Sequence, residues 1–262
     1  MNKTIFTVSH NGNEFHISSC HKKISSEYFL FLHGVQSNQD IFKELFKIVP
    51  DDCSMLSADF IGFGDSSKPM DFSYDLADQT KIIKELLTKL KVKKLHIVGH
   101  SMGGMVGTLL LRELREKVVS FVNMEGNLIL KDSGLSKEIS SHTFDEFKNK
   151  YLKIKGDLKK SSEISASKRV KWLAKIPDFA FYKSCLSIST LPKSTILLDI
   201  FNNAKCFRLY VYGDKKNSDF DYLDKSIELS KIPNAGHFML LDNPDYTFSA
   251  IRDFYKRKEI LK

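Results

Sequence analysis

Cysteine is scarce in this chain and does not cluster. Cys20, Cys53, Cys185 and Cys206 are the four among 262 residues. No two form a C-x-x-C pair, and their spacing fits no zinc pattern. A disulfide-stapled framework and a Cys-rich metal domain are excluded, and the thiols are expected to be reduced in a cytoplasmic protein. No apolar run approaches the roughly 18 residues of a membrane helix, so no membrane span is expected. The amino terminus turns polar too early for a secretory leader. The glycine-bearing loop 59–66 lacks the Gly-Lys-Ser/Thr ending of a phosphate-binding loop. Internal repeats and low-complexity tracts are also missing. What is present is an ordinary globular composition, 42% hydrophobic and 27% charged, on a chain long enough for one large domain with a sizeable core.

Charge is unevenly spread. Residues 128–196 hold 14 Lys/Arg against 7 Asp/Glu, and the rest of the chain 26 against 25, so nearly all of the net +8 lies in one internal stretch. Two readings stand: a helical face kept solvated by lysine, or a docking surface for an acidic partner. Nucleic acid is not expected, because no binding motif accompanies the charge.

Strand and helix signals alternate along the chain. Two short segments, 4–8 and 14–19, flank Asn11-Gly12-Asn13 and read as a hairpin. Tyr28 to Leu32 is apolar throughout, as in a strand buried on both faces. Residues 40–48 have helical spacing, 53–58 read as a strand, and Ile82, Ile83, Leu86, Leu87 and Leu90 mark a helix. Strands follow at 95–98, 118–124, 207–212 and 227–232, and a closing helix runs from Pro244 to about Lys256. Between 128 and 203 strand signals vanish and lysines rise, so helices are expected there. This order implies an α/β fold with a doubly wound, mostly parallel sheet. The expected parts are a core over 1–127, a helical lysine-rich insertion over 128–203, and the core resumed over 204–262.

Such sheets bind ligands beyond the carboxyl ends of their strands. His33-Gly34, Asp59, Ser101, Glu125, Asp214 and His237 all fall there. Gly99-His100-Ser101-Met102-Gly103 is a G-x-S-x-G pattern between a strand and a helix, the context of a nucleophile elbow. Ser101 is then the candidate nucleophile, exposed at a helix N-terminus that favours developing negative charge. A serine needs a base. His237, in a small-residue loop near the far end of the chain, is assigned that task, while His100 and His33 are read as structural. The base needs a carboxylate. Glu125 is favoured over Asp214, because an acid in Val-Asn-Met-Glu-Gly-Asn is costly to bury without a partner. The Met102 and Val35 N–H groups are the expected oxyanion donors, with Gly34 letting the backbone approach and Gln36 able to reach in. Phe63, Trp172, Phe179, Phe181 and Phe238 are either pocket lining or core.

The motifs Phe-Leu-His-Gly (31–34), Asp-Phe-Ile-Gly-Phe-Gly-Asp-Ser (59–66), Gly-His-Ser-Met-Gly-Gly (99–104) and Pro-Asn-Ala-Gly-His-Phe (233–238) occur in an order that resembles the α/β-hydrolase superfamily, in its cap-bearing serine esterase branch. The resemblance implies Ser101 as nucleophile, His237 as base and the lysine-rich stretch as a cap. Many members carry Gly-x-x-Asp after the strand ending here at Tyr212. This chain has Lys216 at that aspartate's position, which supports Glu125. Serine in the elbow disfavours the dehalogenase and epoxide-hydrolase chemistries, which use a carboxylate nucleophile. The implied activity is hydrolysis of a small-molecule carboxylic ester or thioester through an acyl-enzyme, with no cofactor and no metal. A methyl esterase acting on an acidic acyl carrier protein docked at the cap is a second possibility. A ligand-binding or receptor protein with vestigial hydrolysis is a third.

Overall fold

The computed structural model describes residues 2–215 and 219–261. The strands are β1 (Asn2–His10), β2 (Asn13–Lys22), β3 (Glu27–Leu32), β4 (Ser54–Ala58), β5 (Lys94–His100), β6 (Val118–Met124), β7 (Phe207–Gly213) and β8 (Glu228–Ile232). They form one eight-stranded sheet in the order β1-β2-β4-β3-β5-β6-β7-β8. β2 pairs antiparallel with both neighbours, β1 and β4, and every other pairing is parallel. The hairpin and the parallel order agree with the alternation in the sequence. Leu30, Phe31, Ile97, Val98, Phe121 and Val122 are buried whichever face they point to, because both faces of the central strands are covered.

Two apolar cores result. On one face α1 (Leu76–Lys89) and α2 (Met102–Glu113) bury Ile83, Leu86, Val106 and Leu110 against Leu30 and Ile97. On the other, the closing helix (Pro244–Arg257) buries Ile251, Phe254 and Tyr255 beside Phe29, Val98 and Val122. The single helix expected over 40–48 is instead two 3-10 turns, Gln39–Phe42 and Leu45–Ile48. Pro50 removes the room for a third turn, and Asn38 Oδ1 caps the first by accepting from Asp40 N at 3.0 Å.

Between β6 and β7 the described residues form helices only: α3 (Gly134–Ser140), α4 (Phe144–Lys160), α5 (Ala166–Leu173), α6 (Asp178–Thr190) and α7 (Ile196–Asn203), with short 3-10 turns before α3 and after α6. α3 to α6 have their own aromatic centre, where the Phe181 ring lies 4.9 Å from Tyr151 and 6.0 Å from Phe147. α7 is different. Its Phe201 meets Phe121 of β6 edge-on at 5.6 Å, so this helix packs on the sheet. α6 is seated on the core by Lys183, whose Nζ donates to the Met70 and Phe72 carbonyls at 2.9 and 3.1 Å.

Candidate active site

β5 ends in a bend that brings Ser101 to the edge of the sheet. Ser101 has φ 54° and ψ −119° and is the N-cap of α2. Its N–H donates to the Met124 carbonyl at 2.9 Å, which ties the bend to the neighbouring strand. A side chain in that backbone region costs of order 1–3 kcal/mol and persists only where the surroundings enforce it. They do so here by close approach: a Cβ on Gly103 would collide with the Leu32 carbonyl. One on Gly34 would lie 3.0 Å from the Ser101 Cβ, so the loop after β3 can pass directly beside the serine. Met102 is the first residue of α2, so its N–H has no acceptor within the helix. Val35 and Gln36 are the central residues of a turn closed from Ser37 N to Gly34 O at 3.2 Å, which leaves their own N–H groups outside that bond.

Glu125 follows β6 in a second left-handed conformation, φ 49°. Its carboxylate is buried and two-sided. Oε1 accepts from Gly213 N at 2.9 Å, and Oε2 lies 2.7 Å from His237 Nδ1. Asp214, the rival acid, is occupied elsewhere: its oxygens accept from Asn234 N at 2.8 Å and Ala235 N at 3.1 Å. These bonds hold its carboxyl below the usual range and brace the loop that carries His237. Lys216 lies outside the described residues.

The two histidines read as structural are fully buried and make backbone contacts. His100 donates from Nε2 to the His237 carbonyl at 2.7 Å, and the two rings lie 4.8 Å apart. Burial pushes its pKa down to about 3, with neighbouring His237 adding to the effect. His33 donates from Nδ1 to the Gly34 carbonyl at 2.8 Å and accepts from Phe60 N at 3.1 Å, joining the loop after β3 to the loop after β4. Burial lowers it to about 4. Both are therefore neutral props at ordinary pH.

A cavity of about 650 Å³ opens over this edge and is lined in part by Gly34, Val35, Gln36, Ser101, His237 and Phe238. Phe63 and Trp172, candidates for its wall, are not there. Phe63 is fully buried with its ring edge-on to His33 at 5.5 Å, and Trp172 is buried in the core that contains Phe238. Phe181 sits in the aromatic centre of the inserted helices, and Phe179 packs toward the Tyr74 ring at 6.0 Å. The Met102 side chain is likewise core; only its backbone faces the question of catalysis.

Residues 27–160 match the family described as alpha/beta hydrolase fold. The chain belongs to the α/β-hydrolase fold family. Within that family it is 30% identical over 95 residues to a putative esterase/lipase of Mycoplasma pneumoniae, across 36% of this chain and 35% of that one. It is 35% identical over 88 residues to the probable lysophospholipase BODYGUARD 4 of Arabidopsis thaliana, across 32% of this chain and 21% of that one. These matches span only about a fifth to a third of the relatives' own length. Among solved structures, an esterase of Thermogutta terrifontis with malate bound has a TM-score of 0.77 at 16% identity, covering 98% of this chain and 99% of that one. An esterase of Exiguobacterium antarcticum has the same TM-score and identity, covering 97% and 100%. At that identity the likeness is one of fold.

One residue on this cavity carries no distinguishing signal in the sequence. Arg169 of α5 bonds Gln36 through Nε and Nη2, and its guanidinium lies 4.2 Å from the centroid of the Phe238 ring. It therefore spans from the inserted helices to the residues beside both Val35 and His237. Nothing in Ser-Lys-Arg-Val distinguishes it from the surrounding surface cations. Among the described residues no cluster of three or more His, Cys, Asp or Glu is placed to hold a metal ion. Among the same residues no helix is long and apolar enough to cross a membrane.

Proposed function

We propose that this protein is a serine hydrolase of carboxylic esters or thioesters, with Ser101 as nucleophile, His237 as general base and Glu125 as the acid that orients it. The observation that carries the reading is the 2.7 Å contact of Glu125 Oε2 with His237 Nδ1, on a cavity that Ser101 also lines. A carboxylate at Nδ1 keeps the ring proton there and leaves Nε2 to take the proton of the serine hydroxyl. Ser101 Oγ adds to the substrate carbonyl, whose π pair becomes an oxyanion for the Val35 and Met102 N–H groups. Collapse re-forms the carbonyl and breaks the bond to the leaving oxygen or sulfur, which takes the proton from the imidazolium. Water, deprotonated by the same ring, then adds to the acyl-serine, and Ser101 leaves as the carboxylic acid forms. The cycle calls for no cofactor. The inserted helices act as a cap, a role supported by Leu135, Ile164 and Arg169 on the cavity wall. Four scattered free thiols fit a reducing, cytoplasmic setting.

The test is labelling by a fluorophosphonate alongside a screen of ester chain lengths. Wild type is expected to label and turn over, and Ser101→Ala to do neither; label retained on the variant would refute the assignment.

A second reading, hydrolysis of an ester carried on an acidic acyl carrier protein, is favoured by the exposed lysines of α4, among them Lys153, Lys159 and Lys160. Rates on the carrier-bound ester should then fall with rising salt, since exposed charges are screened within ~8 Å at physiological ionic strength. A receptor with vestigial catalysis is disfavoured by the Glu125–His237 contact. It would regain ground if a panel of 4-nitrophenyl esters gave no hydrolysis at any acyl length.

A further inference from the structure

Arg169 does more at this cavity than close a surface. Its Nε and Nη2 lie 3.1 and 2.6 Å from one atom, Gln36 Oε1. Arginine carries donors and no acceptor, so the amide must face it oxygen first. The amide nitrogen is thereby turned away from the guanidinium. Gln36 is only 5% exposed and borders the cavity next to Val35, so its remaining donor belongs to the cavity rather than to bulk solvent. The guanidinium is in turn held in place, stacked on Phe238 and bonded from Nη1 to Glu163 Oε2 at 2.8 Å. An amide gripped in this way has lost the freedom to flip.

We propose that Gln36 is a substrate-binding residue whose amide N–H, held cavity-side by Arg169, donates to an acceptor oxygen that the substrate carries next to its scissile ester. The substrate class is therefore an oxygen-substituted ester, with a hydroxy, alkoxy or oxo group near the reacting carbonyl, rather than a plain alkyl ester. This rests on the serine-hydrolase reading and adds to it a preference. The rest of the wall agrees: Asn127, Ser133, Ser136, Ser162 and Ser165 border the same space. A purely alkyl acyl group would strip water from such groups and offer nothing in return, which is how a polar site rejects an analogue lacking a partner atom.

The experiment compares 4-nitrophenyl methoxyacetate with 4-nitrophenyl butyrate, which differ by one oxygen in place of one methylene. Each kcat/KM is divided by the ester's own hydroxide-catalysed rate to remove intrinsic reactivity. Wild type is expected to favour the methoxyacetate by roughly three- to tenfold, the worth of one hydrogen bond between neutral groups. Gln36→Glu keeps an acceptor for Arg169 but has no N–H to donate, and its ratio should collapse to about one. Arg169→Met frees the amide and should lower the ratio part-way. A ratio near one in wild type, or one that survives Gln36→Glu, overturns the role of Gln36. An undiminished ratio in Arg169→Met overturns the orienting role of the arginine. No turnover of either ester and no fluorophosphonate label would sink the hydrolase reading together with this one, whereas turnover with a flat ratio sinks this one alone.

Discussion

The carboxyl edge of the sheet and the helices inserted after β6 are built on different terms. At the edge each position is over-determined. Ser101 and Glu125 both sit at positive φ, and Gly103 and Gly34 admit no Cβ without displacing a neighbour. His33 and His100 are buried; His33 spends both ring nitrogens, and His100 its Nε2, on backbone groups of adjacent loops. The inserted helices hold together by interchangeable aromatic packing around Phe147, Tyr151 and Phe181, under a face of lysines. They reach the core through apolar packing, Trp172 in the cluster around Phe238 and Phe179 toward Tyr74, and through the cations Arg169, Lys175 and Lys183. On the proposed function, the difference teaches where chemistry and where selectivity reside. Strain and close approach fix reacting atoms to fractions of an ångström, while a layer held by generic packing can change its wall residues without disturbing them.

Several substitutions and one change of condition would break or sharpen that contrast. The largest effect is expected from Ser101→Ala, a fall in kcat on the order of 10⁶-fold, by analogy with other serine triads, with the fold retained by circular dichroism. Residual turnover within a factor of ten of wild type would move the chemistry away from the edge. Glu125→Gln should cost roughly 10²- to 10⁴-fold in kcat, since the ring loses the anion that stabilises its protonated form. Asp214→Asn should cost far less, and the reverse ranking would exchange the two acids.

A third expectation concerns acid. His100 and His33 are held at about 3 and about 4 by burial, below the ordinary value near 6.5. Unfolding therefore takes up protons between those limits, so their contribution is whole above pH 6.5 and is lost as pH falls toward 4. Asp59 works against them: burial raises its carboxyl to about 6, which favours the folded state at lower pH. Two groups outweigh one, so the urea midpoint should be lower at pH 4.5 than at pH 7, and His100→Gln should flatten the difference. All three groups sit at the sheet edge, so a midpoint that is flat or rises on acidification would show that the edge is not the acid-sensitive part. The smallest effect belongs to the inserted helices. Lys159→Glu with Lys160→Glu should change stability by less than ~1 kcal/mol and leave kcat/KM for small neutral esters within twofold. A larger loss would mean that this face does more than solvate.

Much of the edge could be read from residues alone because it depends on short patterns with one geometric solution. Gly-x-Ser-x-Gly between an apolar strand and a helix has little choice but to bend sharply. Glu125, embedded in an apolar strand end, needed a buried partner, and His237 Nδ1 lies at 2.7 Å. The positions left open share a different feature. Phe63, Trp172 and Phe181 are aromatic residues near the right place in the chain, but whether a ring faces a cavity or a core depends on which neighbour fills the other side. Residues 40–48 have helical spacing, yet a proline just beyond them and burial on several sides split them into two tight turns. Arg169 and Gln36 lie 133 positions apart and carry no local signal of their contact.

What the order of residues determined by itself was the alternation of strands and helices, the strained bend at Ser101, the glycine-permitted approach of the loop after β3, and the choice of residue types that a serine nucleophile requires. These follow from backbone sterics and side-chain period, which act over a few residues. Tertiary structure alone decided that the cavity wall is rich in serine rather than aromatic rings, and that an arginine from a distant helix sets which end of Gln36 is turned toward the site. Those outcomes turn on which distant segments are pressed together once the two cores have formed, and contacts made over such separations leave no trace in local sequence.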